Sequence, residues 1–258
     1  MHRRPLGTTG LDVTPIGFGA FKIGRNQNTK YPQAYPLMDE VEAIQLLHDV
    51  LDLGINLIDT APAYGLSEER IGQALADRRQ EFVLSTKTGE QFENGTSTYD
   101  YTAQTTRKSI EGSLARLQTE VLDIVYVHSN GEDVWIQQQT EVVETLHALK
   151  RSGLIRAIGF SPKSIQGAEL AMDWADVLML EYHLENQEMS DVITRAHAAG
   201  IGTVIKKGLA SGHLPAQQAI RFVLDNPGVD SLIVGGSKLL HLAENCRLAG
   251  FKFRNRAA

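Results

Sequence analysis

The chain has 258 residues and a formal net charge of −6, from 25 basic and 31 acidic side chains. That balance argues against a nucleic-acid-binding surface, and no stretch approaches the roughly 20 apolar residues of a membrane-spanning helix. Cys246 is the only cysteine, so no internal disulfide can form, and the N-terminus lacks an apolar core of signal-peptide length. The expectation is a cytoplasmic protein, monomeric or weakly oligomeric, with no nucleic-acid or membrane partner and no metal site.

In chain order, residues 3–14, with Gly7 and Gly10 as turn residues, read as a β-hairpin. Eight short runs rich in Val, Ile and Leu follow, at 16–21, 56–59, 82–87, 122–128, 154–161, 176–182, 202–206 and 231–234. Helix-period segments alternate with them at 39–53, 67–77, 102–117, 136–152, 164–172, 190–199, 215–225 and 238–246. Strands followed by helices imply parallel neighbours, which need crossover connections. The runs are apolar throughout rather than alternating, as strands covered on both faces are. Thr102 stands where an N-cap is needed, Gly54, Gly153 and Gly200 stop helices, and Pro215 sits near a helix start. Eight units in this length match a (β/α)8 TIM barrel better than an open doubly wound sheet. No inter-domain linker is visible, so residues 1–258 read as one domain.

Three neighbouring runs end in groups that hold or pass a proton. Residues 55–65, Ile-Asn-Leu-Ile-Asp-Thr-Ala-Pro-Ala-Tyr-Gly, carry Asp59 at a strand end and Tyr64 on a loop bent by Pro62 and Gly65. Phe-Val-Leu-Ser-Thr-Lys ends in Lys87, and Leu-Asp-Ile-Val-Tyr-Val-His ends in His128. Barrels collect functional groups where strands end, so these side chains are expected to converge. A nearby ammonium favours tyrosinate and lowers a phenol pKa that is ordinarily about 10. Asp59 would keep the buried Lys87 cation from standing uncompensated.

In this order and these contexts, Asp59, Tyr64, Lys87 and His128 resemble the active site of the aldo-keto reductases, and the resemblance runs from Leu6 to Asn245. It implies a (β/α)8 barrel plugged at the bottom by an N-terminal hairpin. It also implies an enzyme that reduces aldehydes or ketones to alcohols with NADPH/NADP, NADH being possible. The quartet is then catalytic, with Tyr64 the proton donor, and Phe21, Tyr64 and His128 meet the small-molecule carbonyl substrate. No amino-acid side chain donates hydride, so a nicotinamide must supply it.

Residues 233–238, Ile-Val-Gly-Gly-Ser-Lys, follow the eighth run and open a helix. Gly235 and Gly236 let backbone approach a phosphate, while Ser237 and Lys238 offer a hydroxyl and a charge. The resemblance adds His241, Glu244 and Asn245 to this adenosine-phosphate site, and Ser161, Met179 and Lys206 to the nicotinamide side. Here the chain departs from the family's usual pattern. Pro162 follows Ser161 where an Asn is usual, Met179 replaces a Gln, Lys206 replaces an aromatic residue and His241 a more basic one. Lys206 reads either as a ring- or pyrophosphate-contacting side chain or as a rim lysine in solvent. Without Arg at His241, preference for NADPH over NADH is less firmly fixed.

Tyr31 and Tyr35 in the loop 26–38, with Phe92, Tyr99 and Tyr101 in the loop after Lys87 and Asn130 after His128, suggest a partly apolar pocket. The short tail after Asn245 implies an open pocket mouth and broad or bulky substrates. The alternative reading from another class is a nicotinamide-nucleotide-bound regulatory or sensor protein with little turnover. A cofactor-free barrel lyase or isomerase is a third. The intact quartet favours catalysis.

Overall fold

The computed structural model describes residues 2–250. The chain opens with an antiparallel hairpin, β1 (Arg4–Pro5) and β2 (Asp12–Val13), turned through Gly7 and Gly10 at positive φ. Eight parallel strands then close a barrel: β3 (Ile16–Gly19), β4 (Leu57–Asp59), β5 (Val83–Thr88), β8 (Leu122–His128), β9 (Ile155–Ser161), β10 (Val177–Glu181), β11 (Gly202–Lys206) and β12 (Ser231–Gly235). Between β5 and β8 lies a second hairpin, β6 (Glu90–Glu93) and β7 (Thr96–Tyr99).

Side chains alternate along each barrel strand. Leu57, Val83, Ile124, Tyr126, Val177 and Val204 fill the interior, together with Leu6, Leu11 and Val13 from the N-terminal hairpin, which therefore plugs the base. The intervening positions, among them Ile58, Leu84, Val125, Ile158, Leu178, Ile205 and Leu232, pack outward against the helices. Both strand faces are thus buried, which is why the runs read as continuously apolar.

The helices are α1 (Glu40–Asp52), α2 (Ser67–Leu75), α3 (Ala103–Arg116), α4 (Asp133–Gln139), α5 (Val142–Arg151), α6 (Ile165–Ala171), α7 (Ser190–Ala198), α8 (Ala216–Leu224) and α9 (Leu239–Leu248). Asp39, Thr102 and Ser164 cap α1, α3 and α6 by accepting from the amides of Glu42, Thr105 and Gly167.

Two elements differ from the sequence expectation. The single helix expected over 136–152 is two, α4 and α5, because Thr140 is extended (φ −124°, ψ 168°) and its hydroxyl donates to the Ile136 carbonyl. The segment after Lys87, expected as loop, is the β6–β7 hairpin, turned by Asn94 and Gly95, both at positive φ. Asn-Gly is a strong two-residue hairpin signal, and here it sits between polar strands that apolar patterning does not reveal.

At the base, polar side chains clasp strands in pairs. Asn56, just before β4, accepts from the Thr14 amide at 2.7 Å. Asp123 on β8 accepts from the Leu84 amide at 2.8 Å, Asp176 before β10 from Ile158 at 2.8 Å, and Asp230 before β12 from Thr203 at 2.9 Å. No helix among the described residues is long and apolar enough to cross a membrane. Residues 251–258, the greater part of the tail on which the open-mouth expectation rests, lie outside the described residues.

Candidate active site

At the opposite rim, Asp59 ends β4, Lys87 is the penultimate residue of β5 and His128 ends β8. Lys87 Nζ donates to both carboxylate oxygens of Asp59 at 2.7 Å and to the Thr60 carbonyl at 2.8 Å. Ser85 Oγ donates to Asp59 Oδ1 at 2.8 Å. Burial works against the Lys87 charge, yet Asp59 and Tyr64 outweigh it and hold the amine above its ordinary value.

Tyr64 closes a single 3-10 turn, Pro62–Tyr64, whose first position is the proline. The next residue, Gly65, has φ 60° and ψ −120°. A Cβ on neighbouring Gly24 would lie 2.1 Å from the Tyr64 carbonyl oxygen, so the loops after β3 and β4 approach as bare backbone. Arg25 Nη1 donates to the Ala63 carbonyl at 3.0 Å, and its guanidinium carbon lies 3.2 Å from the Phe92 ring centroid. These contacts set the Tyr64 ring 4.8 Å from Lys87 Nζ and edge-on to Phe21, with centroids 5.0 Å apart.

The expected lowering of the Tyr64 pKa is not what this geometry gives. Burial pushes the phenol up; Lys87 pulls it back only in part, and Asp59 and Glu90 oppose that pull. The cation is doubly engaged by Asp59, so its field at the phenol is partly cancelled.

His128 has a partner that sequence reading missed. Its Nδ1 lies 2.7 Å from Glu90 Oε2, a close contact set off the direction of the ring N–H, and an ion pair only when the imidazole is protonated. Burial raises the Glu90 pKa, but His128, Ser97 and Arg25 overcome it and bring the carboxyl down to about 2. For His128, burial dominates and lowers the imidazole pKa, with Glu90 opposing. Tyr101 donates from its hydroxyl to the His128 carbonyl at 2.9 Å and accepts from the Asn130 amide at 3.0 Å. It is a buried strut, whereas Tyr99 and Phe21 face the cavity.

The quartet opens on a cavity of about 1030 Å³ that also reaches Ser161, Met179, Lys206, Gly235 and His241. Gly236, Ser237 and Lys238 continue from Gly235 to the start of α9; Glu244 and Asn245 lie within that helix. Lys206 is not a solvated rim lysine. Its Nζ donates to Ser161 Oγ at 2.8 Å and to the Pro162 carbonyl at 2.9 Å, tying the end of β11 to the end of β9. Burial, with Lys207 and Lys87 adding to it, brings its pKa down to about 7. On the far side of the mouth, the loop 26–38 brings Tyr31 to the cavity wall, its hydroxyl 3.1 Å from where a Cβ on Gly235 would stand.

This arc fits a nicotinamide dinucleotide on its own chemistry. Gly235 presents bare backbone to the cavity, and α9 begins just after Lys238 with no side chain capping its first amides, a ready site for phosphate.

A closed barrel whose rim carries a Lys–Asp pair, a phenol and an imidazole around one cavity defines a class of oxidoreductase, and comparison with known proteins agrees. The family model described as "Aldo/keto reductase family" matches residues 15–218. The chain belongs to that family and is an NAD(P)H-dependent enzyme. L-galactose dehydrogenase of Arabidopsis thaliana is 30% identical, over 83% of this chain and 67% of its own. NADH-specific methylglyoxal reductase of Escherichia coli is 28% identical, over 82% and 70%. A solved structure from Pseudomonas aeruginosa, described as an aldo-keto reductase, superposes with a TM-score of 0.88 at 44% identity, covering 96% of this chain and 93% of its own. An aldo-keto reductase of Bacillus halodurans in its holo form gives 0.84 at 26% identity, covering 98% and 92%.

Proposed function

We propose that the protein reduces aldehydes or ketones to alcohols, with Tyr64 delivering the proton and NADPH the favoured nucleotide. The observation that carries this reading is the Tyr64 ring held 4.8 Å from a Lys87 ammonium that is itself bonded twice to Asp59, on the cavity His128 also faces. The bound nicotinamide supplies the hydride. Tyr64, its pKa raised by burial, keeps its proton at neutral pH until carbonyl oxygen takes on negative charge. Lys87 then stabilises the tyrosinate left behind, and Asp59 keeps Lys87 charged and fixed.

His128, held from behind by Glu90, in its protonated form donates from Nε2 to the carbonyl oxygen and turns that oxygen toward Tyr64. Phe21, packed edge-on to Tyr64, and Tyr99 give the substrate an apolar wall. Ser161, Met179 and Lys206 line the nicotinamide end, while Gly235, Gly236, Ser237, Lys238, His241, Glu244 and Asn245 serve the phosphate and adenosine end. Lys238, exposed where α9 starts, supports NADPH through its charge; the Escherichia coli relative, named NADH-specific, makes the nucleotide a property to measure in each member.

The test is Tyr64→Phe. Proton donation by a positioned side chain contributes about 10²–10⁴-fold, so the variant should lose that much kcat on an aldehyde panel while nucleotide binding, followed by fluorescence, is retained. Equal turnover in the variant would remove Tyr64 from the proton-donor role.

A further inference from the structure

Three lysines crowd the strand ends, and one of them is bonded to no carboxylate. Lys87 is bonded to Asp59 and Lys207 to Glu181. Lys206 bonds only to a hydroxyl and a carbonyl, Ser161 Oγ and Pro162 O, and no carboxylate of the described residues pairs with it. When protonated, an ammonium held by neutral oxygens, with Glu181 and Asp133 acting on it only through space, carries a net positive field into the cavity.

The strand order says what that field meets. The quartet occupies the ends of β4, β5 and β8 with the loop after β4, and the phosphate-fitting amides follow β12. Between them run two arcs. The one through β3 is filled by aromatic side chains: Phe21 against Tyr64, and Tyr31 beside Gly235. The other passes over β11, β10 and β9, whose cavity-lining residues are Lys206 on β11, Met179 and Glu181 on β10 and Ser161 on β9. A nucleotide anchored at α9 with its ring near Tyr64 and His128 must therefore lay that ring along Lys206 and Ser161.

We propose that Lys206 sets the redox-state preference for the bound nucleotide, its unpaired ammonium disfavouring the cationic oxidised nicotinamide relative to the neutral reduced one. The inference rests on the nicotinamide reading of the site given above. It assigns to the position a task of charge, where an apolar or aromatic side chain would only pack. The two redox forms share every phosphate, ribose and adenine contact, so a difference in affinity between them reports on the ring's surroundings. Release of the oxidised nucleotide after turnover is the step such a charge assists.

The preference is also pH-dependent. The groups that face Lys206 are Lys207 on its own strand, Glu181 on β10, Lys87 on β5, His128 on β8 and Asp133 on α4. An oxidised ring favours the neutral amine. Its affinity relative to the reduced form therefore rises as pH increases through about 7, and the preference is fully present below that value.

The experiment measures dissociation constants for NADP+ and NADPH, and for NAD+ and NADH, by titration calorimetry and nucleotide fluorescence across that pH range. Taking the ratio within each pair cancels titration of the 2′-phosphate. In Lys206→Met, the oxidised form should gain about tenfold relative to the reduced form below pH 7, and the ratio should become flat with pH. Lys206→Arg, which keeps the charge, should retain the wild-type ratio but lose its pH dependence. Ratios in Lys206→Met unchanged from wild type would overturn the inference, as would an Arg variant whose ratio still follows pH. Failure of the wild-type protein to bind either pair would instead overturn the nicotinamide reading itself.

Discussion

At the base of the barrel, Asp123, Asp176 and Asp230 accept bonds from strand amides; at the rim, Asp59 and Glu90 face an amine and an imidazole. The base carboxylates spend their lone pairs on groups that do not titrate at neutral pH. Asp123 is the fullest case: besides the Leu84 amide it holds Arg79 at 2.7 Å and Arg156 at 3.1 Å. The rim carboxylates are bound to groups that exchange protons and look onto a cavity. Asp123 and Asp59, buried alike, thus fix geometry at one end and tune proton affinity at the other, and the difference lies in the partner.

Substitution should expose that contrast. The largest loss of stability is expected from Asp59→Ala, which strands the buried Lys87 ammonium; breaking a buried pair from one side costs about 3–5 kcal/mol. Chemical denaturation checks this, and a loss under 1 kcal/mol (roughly the value of an exposed pair) would show that Thr60 and solvent satisfy Lys87 without Asp59. Asp123→Ala should cost about 1.5–3 kcal/mol, the range for hydrogen bonds to a charged group. Its catalytic pH profile should stay that of the wild type, since the base does not touch the proton-holding groups. A shifted profile would break the division between the two ends.

The smallest stability effect and the clearest change in pH behaviour belong to Glu90→Gln. Glu90 raises the His128 pKa against burial, so its removal should move the His128 resonance titration, followed by NMR, to lower pH. Glu90→Asp should restore part of the shift. The Glu90 carboxyl is held at about 2, below its unfolded value, so the stability it adds is present above about 4.5 and lost as pH falls toward about 2. The Gln variant should lack that portion of the acid loss. An unchanged His128 titration would reduce Glu90 to a packing residue.

Much of this was legible from residue order. Apolar runs that end abruptly in Asp59, Lys87 and His128 announce both the strands and the rim, because a both-faces-buried strand tolerates polar groups only where it leaves the core. The partners were less legible. Glu90 reaches His128 only because Asn94 and Gly95 fold the next segment back into a hairpin, and nothing in the strand pattern marks that return. Lys206 was visible as a departure from the family pattern, but its bonds to Ser161 and Pro162 span two strands of curvature that spacing along the chain does not encode. The sign of the Tyr64 shift depends on how completely Asp59 neutralises Lys87, a matter of ångströms.

The clasps at the base divide the cylinder unevenly. Asn56, Asp123, Asp176 and Asp230 stitch β3 to β4, β5 to β8, β9 to β10 and β11 to β12. The four seams between those pairs have no such side-chain acceptor for a strand amide among the described residues. Below the chemistry, then, the wall is built of four two-strand staves hooped at every second joint. The joint between β4 and β5, unhooped at the base, is closed at the rim by the Asp59–Lys87 pair itself.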